Sequence, residues 1–516
     1  MSLLKSKVTP LCLSTALIAI SSTALANPLS GLINNLNQLQ SQPAQKEEVK
    51  PEAQQAQVTA EGGEKYAAGY SQAFYPVKEQ LKSGASEQAL KTHKEAFLDK
   101  DASFLSQVEH GVVALDTKNP EVAIEAFAKA ERILGEEYAG SKIGSMLAGS
   151  SKNILSMITG AGELTDYPGE SFERILMLNY KSIAYMLQGE RKAYNVARRS
   201  IDWQNIERDR FRAEVQAAKE ELEKQVAEQE EKGNDLTGFG FTDTMNKYYG
   251  ETKKQATQLP SAYVNPFGFY MTGMVQEFDS YDDRSLRDNA RISYKKALEL
   301  NPKSKVIQAA AAAMKKAPRK GRRLVHVVVA DGFAPEKRTV RFDYNVGGVM
   351  LPVKIPVYEA ETSPIYRFEI QTVSGKRLSR VYPVADINSI ALRHQYDSLP
   401  FQQLNMTVSV IRSYFENRAL NKLGFIGKMV SDKRQEVANP DMRSWISLPE
   451  KFLAARLEVP KNLDRIRIKG YDKRGRTLVN EVVKLNKQSH NFVYARNIGK
   501  TMKVSSNTNK LWAPVR

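Results

Sequence analysis

The sequence predicts an α+β protein of more than one domain. A tetratricopeptide-like helical array is expected over 65–317, and a β-rich, sandwich-like domain with one long helix over 318–500. Two observations predict this. Ala-rich helical pairs recur at Phe104–Leu134, Phe172–Trp203 and Asn265–Pro302, each with small residues where two helices would touch and a short polar turn between them. At Lys315 the helical period gives way to β-branched runs in alternation, the signature of strands.

Residues 1–26 read as a secretion signal. Lys5 and Lys7 give a positive start, an apolar stretch follows, and Ala24-Leu25-Ala26 forms an A-x-A cleavage pattern. The single cysteine, Cys12, lies inside this signal behind Leu11, which is not the small residue that lipidation of a cysteine needs. Cleavage after Ala26 would leave a mature chain without thiol catalysis or thiolate metal sites. The expected location is the periplasm, free or at the outer membrane. No later stretch has the roughly 18 apolar residues of a membrane span.

The net charge is +17. In an exported protein this charge argues for anionic envelope material or acidic partners rather than nucleic acid. Asn27–Glu64 is rich in Gln, Ala, Glu and Pro and reads as a flexible tether.

The first helical pair, SFLSQVEHGVVALDTKNPEVAIEAFAKAERIL, carries Gly111 and Ala114 on one helix and Ala123, Phe127 and Ala130 on the other. Its DTKNP turn puts a proline at a helix start. The second pair turns at Gly189-Glu190, and the third at DSYDDRSLRDN. Two insertions interrupt the array. Gly140–Gly162 is Gly/Ser-rich yet apolar and is expected as a pair of short helices tucked under the array, since an exposed apolar loop is a liability; the alternative is a mobile covering loop. Ile206–Lys232 is dense in opposite charges at helical spacing and is expected to extend a helix outward as a solvated arm.

After the basic Pro/Gly hinge, strands are expected at RRLVHVVVADG, KRTVRFDYNVGGVMLPVKIPVYE and PIYRFEIQTVSG. Val384–Leu423 returns to helical spacing, and KFLAARLEV, RIRIKGYDKRGRTLVNEVVKL and FVYARNI complete the strands. The glycine in YDKRGRT marks a hairpin turn. Residues 501–516 read as a tail.

The search for chemistry finds little. His93, His110, His326, His394 and His490 have no metal-ligand spacing, and H-E-x-x-H is absent. G-x-S-x-G, P-loop and dinucleotide fingerprints are also missing. Asp166 with Glu170 and Glu173, and Asp282 with Asp283, sit at helix starts, where carboxylates cap helices. No cofactor and no metal are expected. Lys315, Lys316, Arg319, Lys320, Arg322 and Arg323 form a basic cluster. Within it Arg319, Lys320, Arg322 and Arg323 are candidate anion contacts, and the alternative is a solvated linker after a cation-favouring helix end. In Asn439–Pro460, Arg443 and Trp445 offer an aromatic-cation partner surface, or else a tryptophan plug. On the repeat helices, Asn179, Tyr180 and Tyr270 are the candidate groove residues for a peptide, or else part of the core between repeats.

Several segments together resemble an uncharacterised family of bacterial cell-envelope proteins with a tetratricopeptide-like N-terminal region and a β-rich C-terminal region. They include DYPGESFERILMLNYKSIAYMLQGE, NPFGFYMTGMVQEF, SYKKALELNP, VVVADGFAPEKR, KIPVYE, IRSYFENRALNK and NPDMRSWISLPEKFLAAR. The resemblance covers most of Tyr66–Asn497. It implies no established activity. By analogy, its genes' neighbours point to envelope assembly beside outer-membrane lipoproteins that resemble activators of penicillin-binding proteins. Members often look like lipoproteins, whereas Cys12 here lacks that context. The expected function is a non-enzymatic periplasmic scaffold or adaptor for envelope proteins, outer-membrane lipoproteins among them, with a further contact to peptidoglycan. Alternatives are an anionic-lipid or lipopolysaccharide surface module and a cell-wall hydrolase.

Overall fold

In the computed structural model of the chain, residues 66–140, 167, 169–231, 249, 253–254, 256–257, 259, 262–346, 349–399, 440–507 and 509–512 are described. The expected signal, the tether, the insertion after Gly140 and the part of the expected helix after residue 399 lie outside them.

Each expected helical pair forms. The first joins α3 (Phe104–Asp116) to α4 (Pro120–Gly140), the second α5 (Ser171–Gln188) to α6 (Lys192–Glu231), and the third α7 (Pro266–Asp279) to α8 (Leu286–Leu300). Two further helices, α1 (Tyr66–Ser83) and α2 (Ser86–His93), precede them. Local chemistry sets the ends. Ser103 caps α3, the Asn265 side chain accepts the Phe267 N–H at 2.8 Å with Pro266 at the first turn, and α5 ends on Gly189 at φ 79°. Small residues bring paired helices together. A Cβ on Gly111 would sit 2.6 Å from the Phe127 ring, and one on Gly273 would sit 2.8 Å from the Tyr294 ring. Helix α6 is continuous over 40 residues, so the charged arm is the same helix prolonged.

After α9 (Lys305–Ala313) the strands begin: β1 (Arg322–Asp331), β2 (Glu336–Val346), β3 (Val349–Glu359), β4 (Arg367–Gln371) and β5 (Arg377–Asp386). Helix α10 (Ile387–Asp397) intervenes before β6 (Lys451–Pro460), β7 (Arg465–Tyr471), β8 (Thr477–Lys484), β9 (His490–Ile498) and β10 (Thr501–Ser506). Strands β2 and β3 form a separate hairpin. The other eight form one sheet in the order β10-β9-β1-β6-β5-β4-β7-β8. Among the described strands, β1 and β9 alone run parallel, Leu324 opposite His490. The sheet is nearly closed: β8 and β10 approach each other, and Ser506 Oγ donates to the Lys484 carbonyl at 3.2 Å.

Strand alternation separates two cores. Val325, Val327 and Val329 of β1 point into the curled sheet with Leu453, Ala455, Ile466, Ile468, Val493 and Met502. The opposite residues, Leu324, Val328 and Ala330, join Phe452, Ala454, Phe492 and Tyr494 in a second cluster shared with every helix from α1 to α9. The helical layer thus lies against β9, β1, β6 and the end of β5.

Four features differ from the sequence reading. The strands curl into one nearly closed sheet rather than a two-layer sandwich, because the helices occupy the outer face where a second sheet would pack. Strand β5 was not expected; its Pro383 and the register shift between Pro383 and Ala385 obscure the alternation. The expected tail supplies β10, and Leu511 beyond it is 1% exposed. The helix expected from Val384 starts at Ile387, because Val384–Asp386 end β5, and its expected course beyond residue 399 lies outside the described residues.

Candidate functional site

The first helix of each pair, α3, α5 and α7, is almost wholly buried, whereas α4, α6 and α8 keep one face exposed. The first helices therefore face the sheet. This corrects the groove assignment: Asn179, Tyr180 and Tyr270 are each 0% exposed. The Tyr180 ring packs 5.6 Å from Phe452 of β6, and Tyr270 Oη lies 3.0 Å from His326 Nδ1 of β1. The chain's own sheet fills the face that a peptide was expected to occupy.

Trp445 is 1% exposed and plugs the junction of helices and sheet. Its ring lies 6.4 Å from Phe127 and 5.8 Å from Tyr180, and its indole N–H donates to Ser447 Oγ at 3.0 Å. Arg443 is half of a bidentate pair with Asp441 and stands 5.3 Å over the Tyr167 ring. Neither residue is a free surface. Two buried carboxylates hold this loop by its backbone. Glu173 of α5 accepts the Trp445 N–H at 2.8 Å. Glu109 of α3 accepts the Ile446 and Ser447 N–H groups at 2.7 and 3.0 Å. Burial pushes Glu109 up to about 8 and, with the neighbouring Glu170 charge, Glu173 up to about 7. Glu170 and Glu173 also form the capping box of α5.

The same buried layer holds two arginine–carboxylate contacts between sheet and helices. Arg456 of β6 binds Glu277 of α7 in a bidentate pair, Nη2 donating to Oε1 at 2.6 Å and Nε to Oε2 at 3.1 Å. The same carboxylate takes His326 Nε2 at 3.1 Å and the Tyr294 hydroxyl at 2.9 Å. Burial raises the Glu277 carboxyl, and Arg456 and His326 overcome that and hold it below the usual range. Arg496 of β9 faces Asp116 of α3 at 3.8 Å, and burial lifts Asp116 to about 7. These groups are enclosed, so they work as interlayer fastenings and offer no cleft for a substrate.

The basic hinge divides. Arg319 and Lys320 are exposed and Arg322 is half-exposed, with Arg319 Nε 3.6 Å from Glu458. Arg323, in contrast, is 2% exposed. Its guanidinium donates to the carbonyls of Asn486 and Leu463, so it clamps two strand-connecting turns instead of meeting an outside anion. Its alternation with Leu324 on β1 is the physical reason it turns inward.

An open cleft of about 640 Å³ lies on the outer side of the helical layer, between α4, α5 and α6. Four cations line it, Arg132, Lys181, Lys192 and Arg199, with the carboxylate of Glu131 among them. Lys181, nearly buried, and Arg199 both reach Glu131, at 2.5 and 2.7 Å. Lys192 stands at the rim, 5.7 Å from the Tyr185 ring centre, and Asn195 and Arg132 are exposed. Chemically this is a cationic trough with an aromatic wall, suited to carboxylate-bearing chain. Sequence reasoning missed it because its residues belong to three helices. The available signal was the basic spacing Lys192, Arg199 on one face of α6.

Among the described residues, no group of three His, Cys, Asp or Glu side chains is placed to hold a metal, and no helix is long and apolar enough to cross a membrane. Comparison of the chain with protein families, with curated proteins and with solved structures finds no match.

Proposed function

We propose that this protein is a non-enzymatic, exported scaffold of the bacterial cell envelope, and that it holds an acidic segment of an envelope protein in the cleft between α4, α5 and α6. The cleft carries the reading: three elements bring four cations to one open surface, where Lys181 and Arg199 share Glu131 and Lys192 pairs with Glu190 at 3.2 Å. The tetratricopeptide-like reading of the helical pairs supports an adaptor, with its working face moved outward because the inner face packs on the sheet. Its setting, in outer-membrane or peptidoglycan assembly beside lipoprotein partners, rests on the signal-like start and the family resemblance. The enclosure of the charged groups between helices and sheet favours binding over hydrolysis.

The test is a photo-crosslinking residue at Asn195 in intact cells, with one at the exposed Lys91 of α2 as control. A discrete adduct is expected at Asn195 and not at Lys91, and it should vanish when Lys192→Glu and Arg199→Glu are combined with it. No adduct at Asn195, or one that survives both charge reversals, would sink the reading.

A further inference from the structure

Among the described residues, helices clad only part of the nearly closed sheet. Strands β7 and β8 and the start of β5 turn outward side chains toward solvent, whereas Glu369 and Gln371 on the same side of β4 are buried among their neighbours' side chains. On β7 the alternation Arg465-Ile466-Arg467-Ile468-Lys469 sends both isoleucines inward, where they are 0% exposed, and the three cations outward. The register extends this into rows across the strands. Lys469 lies opposite Glu369 of β4, which lies opposite Arg380 of β5. Arg467 lies opposite Gln371, which lies opposite Arg377. Arg465 lies opposite Lys484 of β8, and Arg367 opposite Tyr471. Adjacent rows are about 7 Å apart along a strand and about 5 Å across.

The carboxylate in these rows, Glu369, is already engaged. Its side chain is 10% exposed, with Arg367 at 3.4 Å and Arg377 at 3.7 Å. Gln371 donates to it at 3.2 Å and to the Tyr471 hydroxyl at 2.9 Å. The Arg367 guanidinium is spread over the Tyr471 ring at 4.5 Å. The face therefore keeps a large surplus of positive charge, most of it arginine, whose planar fork matches phosphate oxygens.

A second, independent observation lies at the margins of the same face. Tyr366 just before β4, Val373 in the β4–β5 turn and Val482 on β8 are large apolar side chains exposed by 66%, 45% and 45%. Apolar and tyrosine side chains flanking cations are what an interfacial membrane contact needs: rings and methyls enter the headgroup layer while guanidinium groups meet phosphates.

We propose that the unclad face of the sheet, formed by β5, β4, β7 and β8, docks on the surface of an anionic phospholipid bilayer. The contact is separate from the α4–α5–α6 cleft, so it can hold while that cleft is empty or filled. It also moves the anion contact away from the hinge cluster, of which Arg323 is internal.

The test uses the full chain and vesicles of phosphatidylcholine with and without phosphatidylglycerol, read by co-sedimentation. Arg380→Gln, Arg465→Gln and Lys469→Gln are combined; none of the three touches Glu369 through a hydrogen bond, and all point to solvent. Each cation near a charged bilayer contributes about fivefold, so the triple variant should partition about a hundredfold less onto phosphatidylglycerol vesicles. A matched hinge variant, Lys316→Gln with Arg319→Gln and Lys320→Gln, should bind like the parent. Tyr366→Ser with Val482→Ser should weaken the binding that persists at high salt. Equal losses in the sheet and hinge variants would mean that net charge alone is being read and would overturn the proposal. So would unchanged binding in the sheet variant, or full displacement of the protein from vesicles by soluble polyglutamate, which would mark the face as a site for acidic protein. Thermal unfolding of each variant near the parent's midpoint ensures that a loss reports the face and not the fold.

Discussion

At the residue scale, the interior is governed by carboxylates that meet opposite fates. Glu109, Glu173 and Asp116 are lifted to about 8, 7 and 7 by burial, whereas Lys337, His394 and Arg174 outweigh burial at Glu170 and hold it low. The lifted groups keep their protons in the folded chain at pH values where the unfolded chain has lost them. Their contribution is therefore complete below about pH 4.5, the ordinary glutamate value, and is lost as pH rises through 7 to 8. Glu170 and Glu277 act in the other direction, and their contribution is lost as pH falls below about 4.5. Thermal stability should peak near pH 5 and decline toward pH 8, by up to about 1.4 kcal/mol per pH unit for each lifted group. Glu109→Gln and Glu173→Gln should flatten the alkaline slope. A slope unchanged in both variants would show that these two carboxyls do not titrate in that range. This chemistry was half legible. Glu170 and Glu173 were readable as caps from their place before a helix. That Glu173 and Glu109 also hold the backbone of a loop more than 270 residues away was not.

At the scale of elements, the helical pairs were legible because each is self-contained. Its caps, its turn and its small-against-large contact fall within about 30 residues. Gly111 against Phe127 and Gly273 against Tyr294 are the same device in two pairs. Overpacking of this kind costs about 1–3 kcal/mol, so Gly111→Ala and Gly273→Ala should each lower the thermal midpoint by several degrees. Gly135→Ala, on an exposed helix face where a Cβ would meet nothing within 4 Å, should raise it slightly or leave it unchanged. A midpoint for Gly111→Ala equal to that of Gly135→Ala would refute the close-contact account. The strands were legible one by one and their closure was not. Strand β1 finds its parallel neighbour β9 some 160 residues on, and no local pattern announces such a pairing. The face of a helix suffers the same ambiguity: Tyr180 and Tyr270 would read alike whether they met a foreign peptide or the chain's own sheet.

At the scale of the whole molecule, the two regions that differ in sequence character share a core. One cluster runs from Tyr70 through α5 and α7 to Phe452, Tyr494 and Leu511. Arginine–carboxylate pairs and the Trp445 loop are set within it. Breaking such a layer exposes a large apolar area together with unpaired buried charges, which costs several kcal/mol per pair. The described region should therefore unfold in one cooperative step, with helix content and tryptophan fluorescence changing together in urea. A fragment ending at residue 317 should bind a hydrophobic dye and aggregate, whereas independent folding of that fragment would refute the shared core.

The parallel placement of β9 beside β1 has a temporal meaning. A chain made from its N-terminus presents α3, α5 and α7 long before residues 490–498 exist, yet β9 supplies part of the wall on which those helices rest. Until residues 490–498 are present, the helical pairs lack part of the wall for their apolar sides, and β1 lacks one of its two neighbours. The nascent protein is thus committed to a waiting period. The β9 segment decides whether the earlier ones fold or merely collapse, and a chain stopped before it would leave apolar sides of α3, α5 and α7 without part of their wall.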